Sequence, residues 1–294
     1  MKIRTDLALE SKEIFCCENK SNKISGVVSE SVNIRGFDVT TVKITNKDGE
    51  KSIGKPVGTY VTFEADPFLM RERNSFENAC NVLKNILDSM KIKDKGSVLV
   101  AGLGNAAITA DALGPFAVKN TIITRHLVER VPEYFGKMRA VAGISPGVLA
   151  TTGIETDEII KAVASDSDIA TIIVIDALAS QSIDRLCRTI QISNTGILPG
   201  SGVGNHRNAI NLETMGVPVI AIGVATVVYA STLIYDIAAK EGFDKIDLSK
   251  YSGDLLVTPR DIDENIKDMA KIIGYGINMS IHDMSTQDVD MFLS

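Results

Sequence analysis

The sequence has no basic run, no apolar stretch long enough to cross a membrane, and few residues of the kinds that cross-link or metallate a small fold. Its 31 lysines and arginines are outnumbered by 37 aspartates and glutamates, a net charge of −6. Direct binding to nucleic acid or to an anionic membrane is therefore not expected. The best apolar run, Val217 to Ala230, is short and broken by Gly223, which argues against a membrane span. No apolar stretch of signal-peptide length follows Met1-Lys2-Ile3-Arg4-Thr5-Asp6. The four cysteines (Cys16, Cys17, Cys80, Cys187) form no Cys-x-x-Cys pair, and the three histidines (His126, His206, His282) show no zinc-ligand spacing. The expectation is a cytosolic chain with reduced thiols and no cofactor.

With 45% hydrophobic and 23% charged residues over 294 positions, the chain has ordinary globular composition. Residues 24–63 read as β-structure: Val39 to Thr45 is rich in β-branched residues, Asn46-Lys47-Asp48-Gly49 is a hairpin signal, and Thr59 to Phe63 follows as a strand. Phe76, Ala79, Cys80, Leu83, Ile86, Leu87 and Met90 recur at three- and four-residue steps, the stripe of an amphipathic helix. Strands and helices then alternate. Strands are expected at Ser97–Gly104, Arg139–Ile144, Ala170–Ile175, Thr189–Ile192 and Val217–Ile222, with helices at Glu155–Ala164 and Thr232–Ala239. A last helix is expected from Thr258 as N-cap and Pro259 in its first turn, with Ile262, Ile266, Met269, Ile273, Ile277 and Ile281 as its apolar stripe. This alternation predicts an α/β fold with a mostly parallel sheet, helices on both faces, and a β-rich N-terminal annex.

The tripeptide Asp-Ala-Leu occurs twice, as Asp111-Ala112-Leu113 and Asp176-Ala177-Leu178, each time after an apolar run that reads as a buried strand. Open α/β sheets build their sites at the carboxyl ends of such strands. Each aspartate alone reads as a helix cap. Both together point to a shared site. Two carboxylates in one pocket do not both ionise cheaply, so one keeps a proton near neutral pH. The ionised one can deprotonate a water while the protonated one polarises a carbonyl and later protonates a leaving amine. The same pair is also suited to a divalent metal, and the residues leave both uses open.

Rival motifs are weaker. Gly102-Leu103-Gly104-Asn105 begins like a dinucleotide fingerprint, but Ala107 stands where its third glycine belongs. Gly143-Ile144-Ser145-Pro146-Gly147 matches a serine-hydrolase elbow, but Pro146 lacks the N–H that the oxyanion hole needs, and the segment reads as a loop. Pro199-Gly200-Ser201-Gly202-Val203-Gly204-Asn205 lacks the Lys of a phosphate loop and reads as a flexible flap, with His206 just beyond.

Five segments together carry a resemblance: Ile3 to Glu10, Gly102 to Pro115, Thr152 to Thr156, Ile175 to Ser180, and Pro199 to Asn205. In this order they are similar to the germination protease of spore-forming bacteria, an atypical aspartic endopeptidase family. The resemblance implies a three-layer α/β sandwich like that of hydrogenase maturation proteases and a homotetramer. It implies small acid-soluble spore proteins as substrates, degraded in the spore core when spores germinate. It also implies that the catalytic aspartates are matched by Asp111 and Asp176. Family members are made as self-processing zymogens, and their substrates are cut after an acid and before an aliphatic residue followed by alanine, with a glutamate further on. Asp6-Leu7-Ala8-Leu9-Glu10 has this pattern. Cleavage between Asp6 and Leu7 is therefore expected, making 1–6 a propeptide and 7–294 one peptidase domain. A metal-dependent maturation-type protease using the same aspartates, and a non-enzymatic binder of the same spore proteins that clamps them with the Gly200–Asn205 loop, are the alternatives. Departures from the family are a short stretch between Ile234 and Leu255, Ala225 in place of a frequent proline, and Tyr229 in place of a frequent acid.

Overall fold

The structure, a computed structural model, describes all residues except 1–4, 22, 91, 93–95, 201–207 and 243–254. Its strands are β1 (Val27–Ile34), β2 (Phe37–Ile44), β3 (Gly58–Glu64), β4 (Ser97–Leu103), β5 (Val141–Gly147), β6 (Ile169–Ser180), β7 (Thr189–Ser193), β8 (Val219–Tyr229) and β9 (Leu256–Val257). The helices of the first half are α1 (Ala8–Asn19), α2 (Lys47–Ile53), α3 (Asp66–Leu69), α4 (Ser75–Ser89), α5 (Leu113–Lys119), α6 (Arg125–Arg130) and α7 (Pro132–Phe135). Those of the second half are α8 (Leu149–Thr152), α9 (Thr156–Asp166), α10 (Leu212–Met215), α11 (Ala230–Lys240), α12 (Ile262–His282) and α13 (Thr286–Leu293).

Among the described residues the strands form one sheet in the order β1-β2-β3-β7-β8-β6-β4-β5, with β9 added to β8. Side chains alternate across it, as the pleat requires. Val98 and Val100 of β4, Ile173 and Ile175 of β6, and Ile220 and Ile222 of β8 face a core shared with α4, α5 and α12. Leu99, Ala101, Ile172, Val174, Val219 and Ala221 face the other way, against Ile160 and Ala164 of α9 and Met215 of α10. The α/β class and the helix–sheet–helix layering therefore stand, and the expected stripes of α4 and α12 face the core, with Phe76, Met90 and Ile281 only partly buried.

The sheet is mixed rather than mostly parallel. Only β5-β4-β6-β8 pair in parallel. The annex strands β1, β2 and β3 join the same sheet through β7 and pair antiparallel. The two-residue link between β1 and β2 leaves no room for a crossover, so these two strands have to pair antiparallel. Their tight turn is Arg35-Gly36, both at positive φ (53° and 91°). The hairpin signal Asn46–Gly49 instead starts α2: the Asn46 side chain caps it by accepting from the N–H groups of Asp48 and Gly49. The helix expected from Thr258 starts at Ile262 as α12 and is not the last, since α13 follows it; the Thr258 hydroxyl donates to the Thr226 carbonyl. Gly143–Gly147 lies in β5, not in a loop, and Pro146 is tolerated because β5 is the sheet edge.

Candidate active site

The two copies of Asp-Ala-Leu take different conformations. Asp111 ends a 3-10 turn (Thr109–Asp111) that folds back onto the end of β4. The Asn105 N–H donates to Asp111 Oδ2 at 2.8 Å and to the Asp111 carbonyl at 3.0 Å. Gly104, at φ 104°, makes this possible, because a Cβ there would lie 2.1 Å from the Asp111 carbonyl and 2.9 Å from Oδ1. Gly102 serves a second close approach, since its Cβ would meet the Gly114 carbonyl of α5 at 2.2 Å. The glycines thus seat the aspartate turn rather than a dinucleotide.

Asp176 lies within β6 rather than at its end. Gly102–Ile175 is the last β4–β6 pair, while β6 continues beside β8 from Asp176 opposite Gly223 to Ser180. The carboxylate therefore appears where the parallel ladder loses β4. Asp176 is buried and its Oδ1 accepts from the Ala177 N–H. Neither aspartate is the N-cap of α5 or of any other helix described.

Asp111, Asp176 and Asp6 line one cavity of about 380 Å³. Its walls include Gly104, Thr156, Ala177, Ala179, Pro199 and Thr226. The Thr226 hydroxyl is fully buried without a hydrogen-bond partner among the described residues. Pro199 and Gly200 reach the cavity, whereas the rest of the expected flap from Ser201 on, and His206, lie outside the described residues. His126 is exposed on α6. No group of three or more His, Cys, Asp or Glu placed to hold a metal ion occurs among the described residues.

The segment Thr5–Glu10 is built into the rim of this site. The Asp6 N–H donates to the Ala179 carbonyl and the Ala179 N–H to Asp6 Oδ2, both at 2.9 Å. Gln191 spans Leu7: its Nε2 donates to the Asp6 carbonyl at 3.3 Å, and its Oε1 accepts from the Ala8 N–H at 2.7 Å. Leu7 is fully buried with Leu178, Ala225 and Ile197. Ala225, the departure from proline, is thus part of the Leu7 pocket. Tyr229, the departure from an acid, is buried where β8 pairs with Leu256 of β9.

Glu10 is only 1% exposed. It accepts from the N–H groups of Gln181 (2.6 Å) and Ser182 (3.2 Å) and from the Thr5 hydroxyl, and Arg185 Nη1 stands 3.3 Å away. Burial raises its pKa above the ordinary glutamate value despite these donors. Arg185 also forks onto Glu13 with two bonds of 2.8 Å. Half-buried Lys55 donates to the Thr5 carbonyl at 3.3 Å; burial lowers its pKa against the pull of Asp6 and Glu10. A second cavity of about 250 Å³, lined by Asp6, Lys55, Tyr60 and Gln191, lies on that side. Sequence reasoning missed Arg185, Gln191, Lys55 and Thr226. Gln191 left one signal, an amide between two isoleucines of a strand.

A family model described as germination protease matches residues 4–241. The germination protease of Caldanaerobacter subterraneus subsp. tengcongensis is 45% identical, over 95% of this chain and 94% of that protein. That of Clostridium tetani is 41% identical over the full length of both. That of Bacillus pumilus is 36% identical over 98% of this chain and 95% of its own. The Clostridium tetani alignment spans 324 positions, more than the 294 residues here, so that relative carries insertions. No helix among the described residues is long and apolar enough to cross a membrane.

Proposed function

Because the chain belongs to the germination protease family, and is thereby a peptidase, we propose that it hydrolyses peptide bonds with Asp111 and Asp176 as an aspartic-type pair. The observation that carries this reading is the cavity that both carboxylates share with Asp6. One carboxylate, ionised, takes a proton from water as its oxygen attacks the scissile carbonyl carbon. The other, protonated, hydrogen-bonds the carbonyl oxygen as it becomes an oxyanion. Collapse breaks the C–N bond, and the proton passes to the departing amine. The reading extends to small acid-soluble spore proteins as substrates in the spore core. It includes a homotetrameric assembly and a zymogen whose residues 1–6 are removed from a 7–294 peptidase domain by cleavage between Asp6 and Leu7.

Asp111→Asn and Asp176→Asn test the pair. Each is expected to abolish cleavage of a spore-protein peptide while the melting temperature stays near that of the parent. Activity within about tenfold of the parent, a barrier change of only about 1.4 kcal/mol, refutes the assignment. Mass spectrometry of the same proteins at mildly acidic pH is expected to show loss of six residues from the parent alone. Cleavage that survives chelation and metal-free buffer favours this reading over a metal-dependent protease. Complex formation without proteolysis indicates a binding protein instead.

A further inference from the structure

We propose that Arg185, the Gln181–Ser182 backbone, Gln191 and the Leu178–Ala225–Ile197 pocket are the specificity site for the four substrate residues after the cleaved bond, and that Leu7–Glu10 of the chain itself fills this site. The inference rests on the peptidase reading above. Its new content is which residues do the reading and that the chain's own segment blocks them.

The contacts sort by position. Leu7 would be the first residue after the cut, and its pocket is apolar. Gln191 holds the main chain on both sides of Leu7. Its amide orientation is fixed, because the Ala8 N–H can bond only to the oxygen, leaving the nitrogen for the Asp6 carbonyl. Ala8 is fully buried among Val42, Ile44, Ile53 and Tyr60. Leu9 is only partly buried, so the third position is read weakly. Glu10 is the anchor. A carboxylate this buried, held by two backbone N–H groups and a guanidinium, is a recognition geometry, and a neutral isostere would leave donors unpaired. A helix surface would ordinarily send such a residue to solvent. The site also continues from the strand that supplies Asp176: Leu178 and Ala179 lie on β6, and Gln181 and Ser182 follow its end.

Two matched peptides test this, one with Glu and one with Gln at the fourth position after the scissile bond. The readout is the ratio of their kcat/KM values on one enzyme form, from which any competition by the enzyme's own segment cancels. The parent is expected to prefer Glu by at least about tenfold, and Arg185→Met to lower the preference to about twofold or less. Arg185→Met that keeps the parental preference overturns the proposal, as does a parent without preference. Should Arg185→Met fail to fold, Arg185→Lys carries the same comparison, with an intermediate preference expected because the fork is lost and the charge kept. A second measurement needs no catalysis: amide hydrogen exchange over Leu7–Glu13 in the Asp111→Asn chain with and without Glu10→Gln. Exchange faster by about tenfold or more supports the site, and unchanged exchange overturns it. If no form cleaves any peptide, the peptidase reading fails by itself, and the exchange result still decides the site.

Discussion

The smallest residue near the candidate pair does the most to place it. Gly104 has a positive φ and no space for a Cβ, with Asp111 occupying that volume from two sides, backbone and carboxylate. Gly104→Ala must therefore either strain the turn or push Asp111 away. The expected result is a stability loss of about 1–3 kcal/mol by urea unfolding. Loss of cleavage should be far larger than that fraction unfolded explains; full activity in a destabilised protein would show that the turn does not position the pair. At this scale the sequence was readable in part. The two aspartates stood out because the same tripeptide follows two apolar runs. Glu10 stood out through its pattern. Arg185 was invisible, since it sits in a 3-10 turn with no periodicity and its importance comes from a contact 175 positions away in the chain.

Among the elements, α12 holds one helical layer together. It packs against α4 and α5, and Gly274 and Gly276 let it lie close to Asn120 and Leu83. Its buried Asn278 accepts from the Ile122 N–H and donates to the Asn120 carbonyl, both at 2.9 Å. Asn278→Leu leaves both backbone groups without a partner. A destabilisation of about 2–3 kcal/mol is expected, with peptidase activity kept below the new melting temperature. A loss under about 0.5 kcal/mol would mean the loop finds other partners. The stripes of α4 and α12 were legible because helical burial writes itself at a fixed period. Element ends were not. The run that became β6 was read as stopping at Ile175, because Asp176 looks like punctuation, yet backbone pairing to β8 carries the strand five residues further. Asn46–Gly49 has turn chemistry, but Asn46 used it to cap a helix. Local residue types there were compatible with both outcomes, and tertiary packing of Gly49 against the Gly26 carbonyl selected one.

For the molecule as a whole, the unforeseen feature is that the annex is the antiparallel half of the main sheet. Sequence showed β-structure at 24–63 but not its partner, because strand pairing depends on residues more than a hundred positions apart. A global response to pH follows from the end of α12. His282 is held at a pKa of about 4, below 6.5, first by burial and then by Arg139. Its neutral form is the one the fold accepts. The stability it contributes is complete above pH 6.5, declines as pH falls towards 4, and is absent below that. The melting temperature should fall across this window, and His282→Gln should flatten the decline; an unchanged slope would place the sensitivity on the carboxylates instead.

The helix α1 gives the proposed cut a kinetic consequence. Its first residue, Ala8, is buried against β2 and α2, so α1 remains attached to the annex whichever side of Leu7 is severed. Cleavage would free Met1–Asp6 but leave the other end leashed beside its own pocket. A segment held on so short a tether has a local concentration on the order of millimolar. The processed enzyme would then carry a built-in competitor, which substrate has to outbid each time it binds.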